Sequence, residues 1–370
     1  MSERNLWADE YGIRLYYDST PPISLAAAGV GANATVFNTA TADADAFEND
    51  GSMGVDVNLY GMQLTNHPDL MIDLNVINQR KAMGTSYRNT TTGGEYQQGN
   101  YTPISTWEFD ATKKNLAVFL WLLFQEGMTE GADPFLKTYV PYAEGTEEVT
   151  VAAALIRKLS GSEALSHVFG GCIVKSLTIT GDEGQPIKCS AELIGYNGVT
   201  DFDFDGEAGA EANIIEYDNT APLMFADMTA RLGGTVGGTN VNIPKFNFTI
   251  TNNATQKFYD TQHPVKYVLN DFTVEGSITI PWAATTMGGN AQLNNFIAGT
   301  DILLQLYWGN ETPAADGDVK FEINCRYTGA PLGGDDEIVS ELSFDGAYDG
   351  TNQAIRVYVC DDIERKVNSL

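Results

Sequence analysis

Two stretches of strict alternation stand out along the chain. In FNFTITNN, Phe246, Phe248 and Ile250 fall on one face of an extended strand, and Asn247, Thr249 and Thr251 fall on the other. After an excursion rich in Asn, Gln and Asp, the residues Phe272, Val274, Ile278 and Ile280 alternate with Thr273, Glu275, Ser277 and Thr279. From Phe246 to Trp282 the pattern predicts a long amphipathic hairpin that needs a partner on each edge, with a connecting loop too polar to be core. Lys175 to Tyr196 carries a shorter version. There Leu177 and Ile179 alternate with Ser176, Thr178 and Thr180, GDEGQP turns the chain, and Cys189, Ala191 and Leu193 alternate with Ser190 and Glu192. The likeness of SLTIT to FNFTIT points to an internal duplication.

The same reading places further strands at Ile13 to Tyr17, Val55 to Leu64 and Leu70 to Ile77. Val149 to Leu159 reads as a strand or an ambiguous apolar segment. In the second half, strands are expected at Ile302 to Tyr307, Phe321 to Tyr327, Ile338 to Tyr348 and Ile355 to Val359. Asp110 or Thr112 can cap a helix that continues through KKNLAVFLWLLFQEG and stops at Gly127. That helix is apolar nearly all round, so it belongs in a core between sheets or under a neighbouring subunit. A second helix is expected from Ala291 to Ala298, with Leu293, Phe296 and Ile297 facing inward. Asn78 to Thr102 shows no periodicity, and such a stretch inside a compact domain argues for function or for ordering by another subunit. The glycines of LGGTVGGTN form the preferred boundary. The expected organisation is an N-terminal arm and loop over 1–50, a β domain over 51–232 and a second over 233–370. The fold class is mainly β: antiparallel β-sandwich or open-barrel domains, each flanked by one helix, in a duplicated arrangement.

Length and composition fit this picture. The 370 residues are 43% hydrophobic, enough for a sizeable core. The balance of 21 basic against 49 acidic residues gives a formal net charge of −28, which repels nucleic acid and anionic membranes at long range. Cys172, Cys189, Cys325 and Cys360 have neither metal-ligand spacing nor the density of a disulfide scaffold, and read as small buried hydrophobes. The N-terminal sequence has no signal-peptide pattern and no apolar run is long enough to span a bilayer, so folding in the cytoplasm and no membrane partner are expected.

Candidate chemistry is sparse. Asp201, Asp203, Asp205 and Gly206 open like an EF-hand calcium loop, but its twelfth position is Ala212, and a solvated acidic loop is the preferred reading. His67, His167 and His263 lie in different elements, and no nucleophile, phosphate-loop or zinc-protease motif occurs. No cofactor and no enzymatic activity are expected.

Taken in order, GGCIVKSLTITGDEGQPIKCSAELIGYN, then FNFTITNN with its long loop and FTVEGSITIPW, and finally ELSFDGAYDGTNQAIRVYVCDD, resemble the major tail tube proteins of long-tailed bacteriophages, in their larger class. The resemblance implies a helix-flanked β-sandwich whose strands join those of neighbouring copies into a closed barrel around a channel, in rings stacked by long loops. It implies a virion-tail protein assembled in the host cytoplasm, with tape measure, tail terminator and baseplate proteins as partners and double-stranded DNA in transit without being bound. The polar faces of the hairpins, with Thr178, Glu192, Thr249, Glu275 and Ser277, would then border the lumen. Arg80, Lys81 and Arg88, in a chain short of positive charge, are the candidates for contact with the adjacent ring. A ring would hold three duplicated chains, or six if each supplies one barrel contribution. Two other readings are a surface or receptor-binding β-sandwich module and a β-rich hydrolase.

Overall fold

The computed structural model describes residues 9–17, 60–61, 63–66, 71–78, 96–131, 135–142, 151–159, 166–195, 197–202, 216–217, 220–233, 239–259, 264, 266–282, 289–330, 332–333, 339–350 and 352–361. The chain is mainly β. Strands β1 (Asp9–Tyr17), β2 (Tyr60–Gly61), β3 (Met71–Asn78) and β4 (Tyr96–Asp110) precede helix α1 (Lys113–Phe124). Then come β5 (Met128–Glu130), β6 (Phe135–Tyr139), β7 (Val151–Leu159), β8 (Ser166–Asp182), β9 (Lys188–Ile194), β10 (Asn197–Phe202), β11 (Glu216–Tyr217), β12 (Met228–Leu232) and β13 (Thr239–Asn240). The remainder is β14 (Lys245–Thr251), β15 (Thr255–Lys257), β16 (Lys266–Val268), β17 (Thr273–Pro281), helix α2 (Gly289–Ala298), β18 (Asp301–Trp308), β19 (Val319–Gly329), β20 (Leu332–Gly333), β21 (Val339–Gly346) and β22 (Ile355–Asp361).

The two hairpins read from the sequence lie side by side in one antiparallel sheet, because β8 pairs with β14 along the whole of β14. Beyond them β9 pairs with β4 and β4 with β3 on one side, while β17 pairs with β21 on the other. Both edges of the central hairpin are thus filled from within the chain. β19 carries the sheet around a corner: on one edge its C-terminal part pairs with β21 and its N-terminal part with β22, while β18 pairs with Val319 to Arg326. β22 pairs with β6, giving a second layer. The N-terminal part of β8 extends past the sandwich between β7 and β10, and β7 pairs with β1 along its full length.

The main core among the described residues lies between the layers, from Trp107 to Val359, and takes residues from both sides of the expected boundary at Leu232 and Gly233. That boundary falls in a hairpin, since Leu232 pairs with Thr239 and Arg231 with Asn240. Phe246, Phe248, Ile250, Val274 and Ile278 are all buried as the alternation requires. Burial of each such side chain contributes about 1.5–3 kcal/mol. Two strand glycines make room for this aromatic layer. A Cβ on Gly181 would lie 2.3 Å from the Phe246 ring, and one on Gly276 would lie 2.6 Å from Phe248 Cβ and 2.7 Å from Phe344 Cζ.

Helix α1 is a core helix of its own chain. Thr112 caps it, its hydroxyl accepting from the Asn115 N–H at 3.1 Å, and every residue from Asn115 to Phe124 is buried. Its greasy circumference is matched by packing on β6, β7, β8 and β22. Phe119 stacks on Phe109 at 4.5 Å between ring centroids, and the Tyr139 hydroxyl donates to Ala117 O at 3.1 Å.

Three expectations change. Asn78 to Thr102 is not aperiodic throughout, since β4 begins at Tyr96. Pro103, which cannot donate to a ladder, sits where β4 passes from its pairing with β3 to its pairing with β9. The loop after Thr251 is not wholly polar surface: it holds the ribbon β15–β16, and Ala254, Tyr267 and Leu269 are buried with Ile173 and Ile194. On α2, Phe296 packs against the core but Ile297 is 73% exposed. Of the N-terminal arm and loop expected over 1–50, all but β1 lies outside the described residues, as does most of the expected strand from Val55 to Leu64.

Candidate functional site

The polar side of the β4–β9–β8–β14–β17–β21 sheet is one continuous surface with aligned rows. Glu108, Ser190, Thr178 and Thr249 succeed one another across four strands. Glu275, Asp345, Arg326 and Asp301 continue the same row to β18. One step along the strands, Lys188, Thr180, Asn247, Ser277 and Ser343 form the next row. On the opposite flank Thr106, Glu192, Ser176, Thr251 and Thr273 form a third. Thr178, Glu192, Thr249, Glu275 and Ser277 therefore share one face of one sheet, although they come from two hairpins far apart in sequence.

Hydroxyls bind this surface together. Thr178 and Thr249 are joined Oγ1 to Oγ1 at 2.8 Å, and Thr180 donates to Asn247 Oδ1 at 3.3 Å. A shallow depression of about 510 Å³ around Gly276 is edged by Thr249, Glu275, Ser277, Ser343 and Asp345.

The charges are arranged so that most cations are already neutralised. A bulge between Val174 and Ser176 turns Lys175 onto this face, where its Nζ meets Glu192 Oε1 at 2.9 Å, while Ser176 donates to Oε2 at 3.2 Å. Glu192 thus lies on the expected face but in an ion pair. Lys245 pairs with Asp182 at 3.4 Å, and Arg326 holds Asp301 at 2.7 and 3.1 Å. Lys188 stands opposite Asp110 at the margin. Glu108, Glu275, Glu341 and Asp345 have no basic side chain within ion-pair distance among the described residues, so the exposed face is net negative.

The other candidates fall elsewhere. Arg80, Lys81, Arg88, Asp203, Asp205, His67 and His263 lie outside the described residues. Asp201 is in β10, His167 is in β8, and no cluster of three potential metal ligands occurs among the described residues. All four cysteines are buried. Burial pushes the Cys325 thiol up to about 12 and the thiols of Cys172 and Cys189 further still, which leaves them unreactive. Among the described residues no helix is long and apolar enough to cross a membrane. Sequence reasoning missed β4, which supplies Glu108 and Thr106. The alternation of Ser105, Trp107 and Phe109 with Thr106 and Glu108 was its available signal.

A comparison with curated proteins gives no match. A family model described as phage tail tube protein matches residues 105–346. That span covers close to two thirds of the chain, running from the part of β4 that pairs with β9 to the end of β21, and so takes in the polar face row by row. The chain belongs to the phage tail tube protein family.

Proposed function

We propose that this chain closes with copies of itself into rings that stack into a tail tube, with the polar face of the β4–β21 sheet lining the channel through which the DNA genome passes. The observation that carries this reading is the convergence of Thr178, Glu192, Thr249, Glu275 and Ser277 on one hydroxyl-rich, net-negative surface. Duplex DNA carries about one phosphate charge per 1.7 Å of its length, so such a wall repels the backbone, whereas a basic wall would retain it by counterion release. Hydroxyls keep the wall wetted without adding positive charge. The role is structural and non-enzymatic, in a virion tail assembled in the host cytoplasm, with tape measure, terminator and baseplate proteins as neighbours.

Ring closure needs free strand edges. β3 pairs only with β4 and β5 only with β6 among the described residues, so these are among the edges open to adjoining copies. Strands from 51–232 and 233–370 share one sheet and one core, which supports one barrel contribution per chain and a ring of six rather than three. Arg80, Lys81 and Arg88 remain proposed contacts between rings. Their stretch starts and ends at Asn78 and Tyr96, which are paired beyond the Thr251 end of the sheet.

Electron microscopy of the purified chain tests the reading. Rings or hollow filaments of uniform bore are expected, with the symmetry giving the copy number. A population of monomers with no central passage would overturn it.

A further inference from the structure

The strands that build the polar face have two chemically different ends. At one, β14 runs past Thr251 into the ribbon β15–β16, where Lys257 and Lys266 are directly opposite each other. Like charges placed so repel, and neither lysine has an acidic partner within ion-pair distance among the described residues. Tyr259, at the tip of the same ribbon, is 67% exposed. Ile297 and Tyr348, the other large apolar side chains left exposed among the described residues, belong to the same end. Gly346, Cys325 and Ile302 pair in one row there, so the turn after β21 and the last turn of α2 leave the sheet at the same end as the ribbon.

At the opposite end the turn between β8 and β9 exposes Glu183, and the segment bridged to it through Pro186 and Met224 exposes Asp227. Neither carboxylate has a basic partner within ion-pair distance among the described residues.

We propose that the ribbon end of one copy seats on the turn end of a second copy in the next ring, with Lys257 and Lys266 meeting Glu183 and Asp227. This rests on the tube reading above. The two ends belong to the same strands, β8 and β14, so the contact joins unlike surfaces, and a contact of that kind propagates as an open filament. It gives the unpartnered lysines their counter-charges and covers apolar side chains that otherwise face water. The ribbon is braced for this role: Gln256 donates to Gly195 O at 2.7 Å and Tyr267 to Gly171 O at 2.8 Å.

The test uses two full-length variants, Lys257→Glu with Lys266→Glu and Glu183→Lys with Asp227→Lys, each checked for folding by circular dichroism. Electron microscopy should show rings but no tubes for either variant alone. Mixing the two should restore tubes, since every junction is then complementary. Tubes of wild-type length from the lysine-reversed variant alone would overturn the contact, as would failure of the mixture to grow. Absence of rings and tubes from the wild-type chain would instead remove the tube reading, and this contact with it.

Discussion

Thr178 and Thr249 meet across the seam between the two hairpins, their hydroxyl oxygens 2.8 Å apart on the polar face. They stand directly opposite in the β8–β14 ladder, so the hydroxyl pair ties the two hairpins side chain to side chain as well as backbone to backbone. A neutral hydrogen bond is worth about 1 kcal/mol net, and replacing both partners by an apolar residue of the same shape is close to neutral. Thr178→Val or Thr249→Val should each cost about that much, while the double variant costs no more than either single one. Urea denaturation of the four proteins measures the coupling. Simple additivity would show that the two hydroxyls act independently.

Gly276 is the point at which the polar face and the core constrain one residue together. It lies between Glu275 and Ser277 on the polar side, and the space its side chain would fill is taken by Phe248 and Phe344. Gly276→Ala would also approach Asn247 O to 2.6 Å, a backbone atom that cannot move without disturbing the β14–β17 ladder. Overpacking of this kind costs about 1–3 kcal/mol. The variant should unfold at a lower urea concentration with an unchanged slope, and a wild-type midpoint would show that the aromatic layer can yield.

What the sequence made legible was facing, not neighbourhood. Alternation alone put Phe246, Phe248 and Ile250 inside and Thr249 outside, and it did the same for Leu177 and Thr178. That the two hairpins share one ladder could not be read, because the register between Thr178 and Thr249 spans residues far apart in the chain. The bulge that turns Lys175 onto Glu192 was equally hidden, since an extra residue leaves no mark on composition. β4 was obscured by Gly99 and Pro103, and the ribbon by its polar sequence. Its few apolar residues matter because they cover Ile104, Ile173 and Ile194, which continue the rows of the polar face.

Lys137 illustrates a polar group that alternation assigns to the core. It shares the inward side of β6 with Tyr139 and is fully buried, its Nζ donating to Asp361 and lying 3.2 Å from Glu130. The cluster fastens the end of β22 to β6 and β5. Removing the cation leaves buried carboxylates uncompensated, which costs about 3–5 kcal/mol. Lys137→Met should therefore destabilise the chain strongly. Adding Asp361→Asn and Glu130→Gln should recover part of the loss, because no charge is then stranded. Recovery is read from the denaturation midpoint, and a triple variant less stable than Lys137→Met would contradict this account.

Asp318 makes the acid side of the stability curve testable. Burial by itself raises its pKa, but the backbone N–H groups of Ala314, Ala315 and Asn310 and the Asn310 side-chain amide donate to its carboxylate at 2.9–3.1 Å. Together they outweigh burial and hold it below the usual aspartate range. The turn admits this carboxylate because residue 309 is glycine: its φ is +86°, and a Cβ there would lie 2.1 Å from Asp318 Oδ1. With the folded value below the unfolded one of about 3.9, the contribution is complete above that pH and is lost as pH falls through the folded value. Asp318→Asn should cost about 2 kcal/mol at neutral pH, the scale of hydrogen bonds to a charged group. The gap between wild type and variant should close as pH drops below about 4. Urea midpoints of both proteins across that range decide it: a gap that stays constant down to the acid limit would mean the folded carboxyl carries no charge to lose.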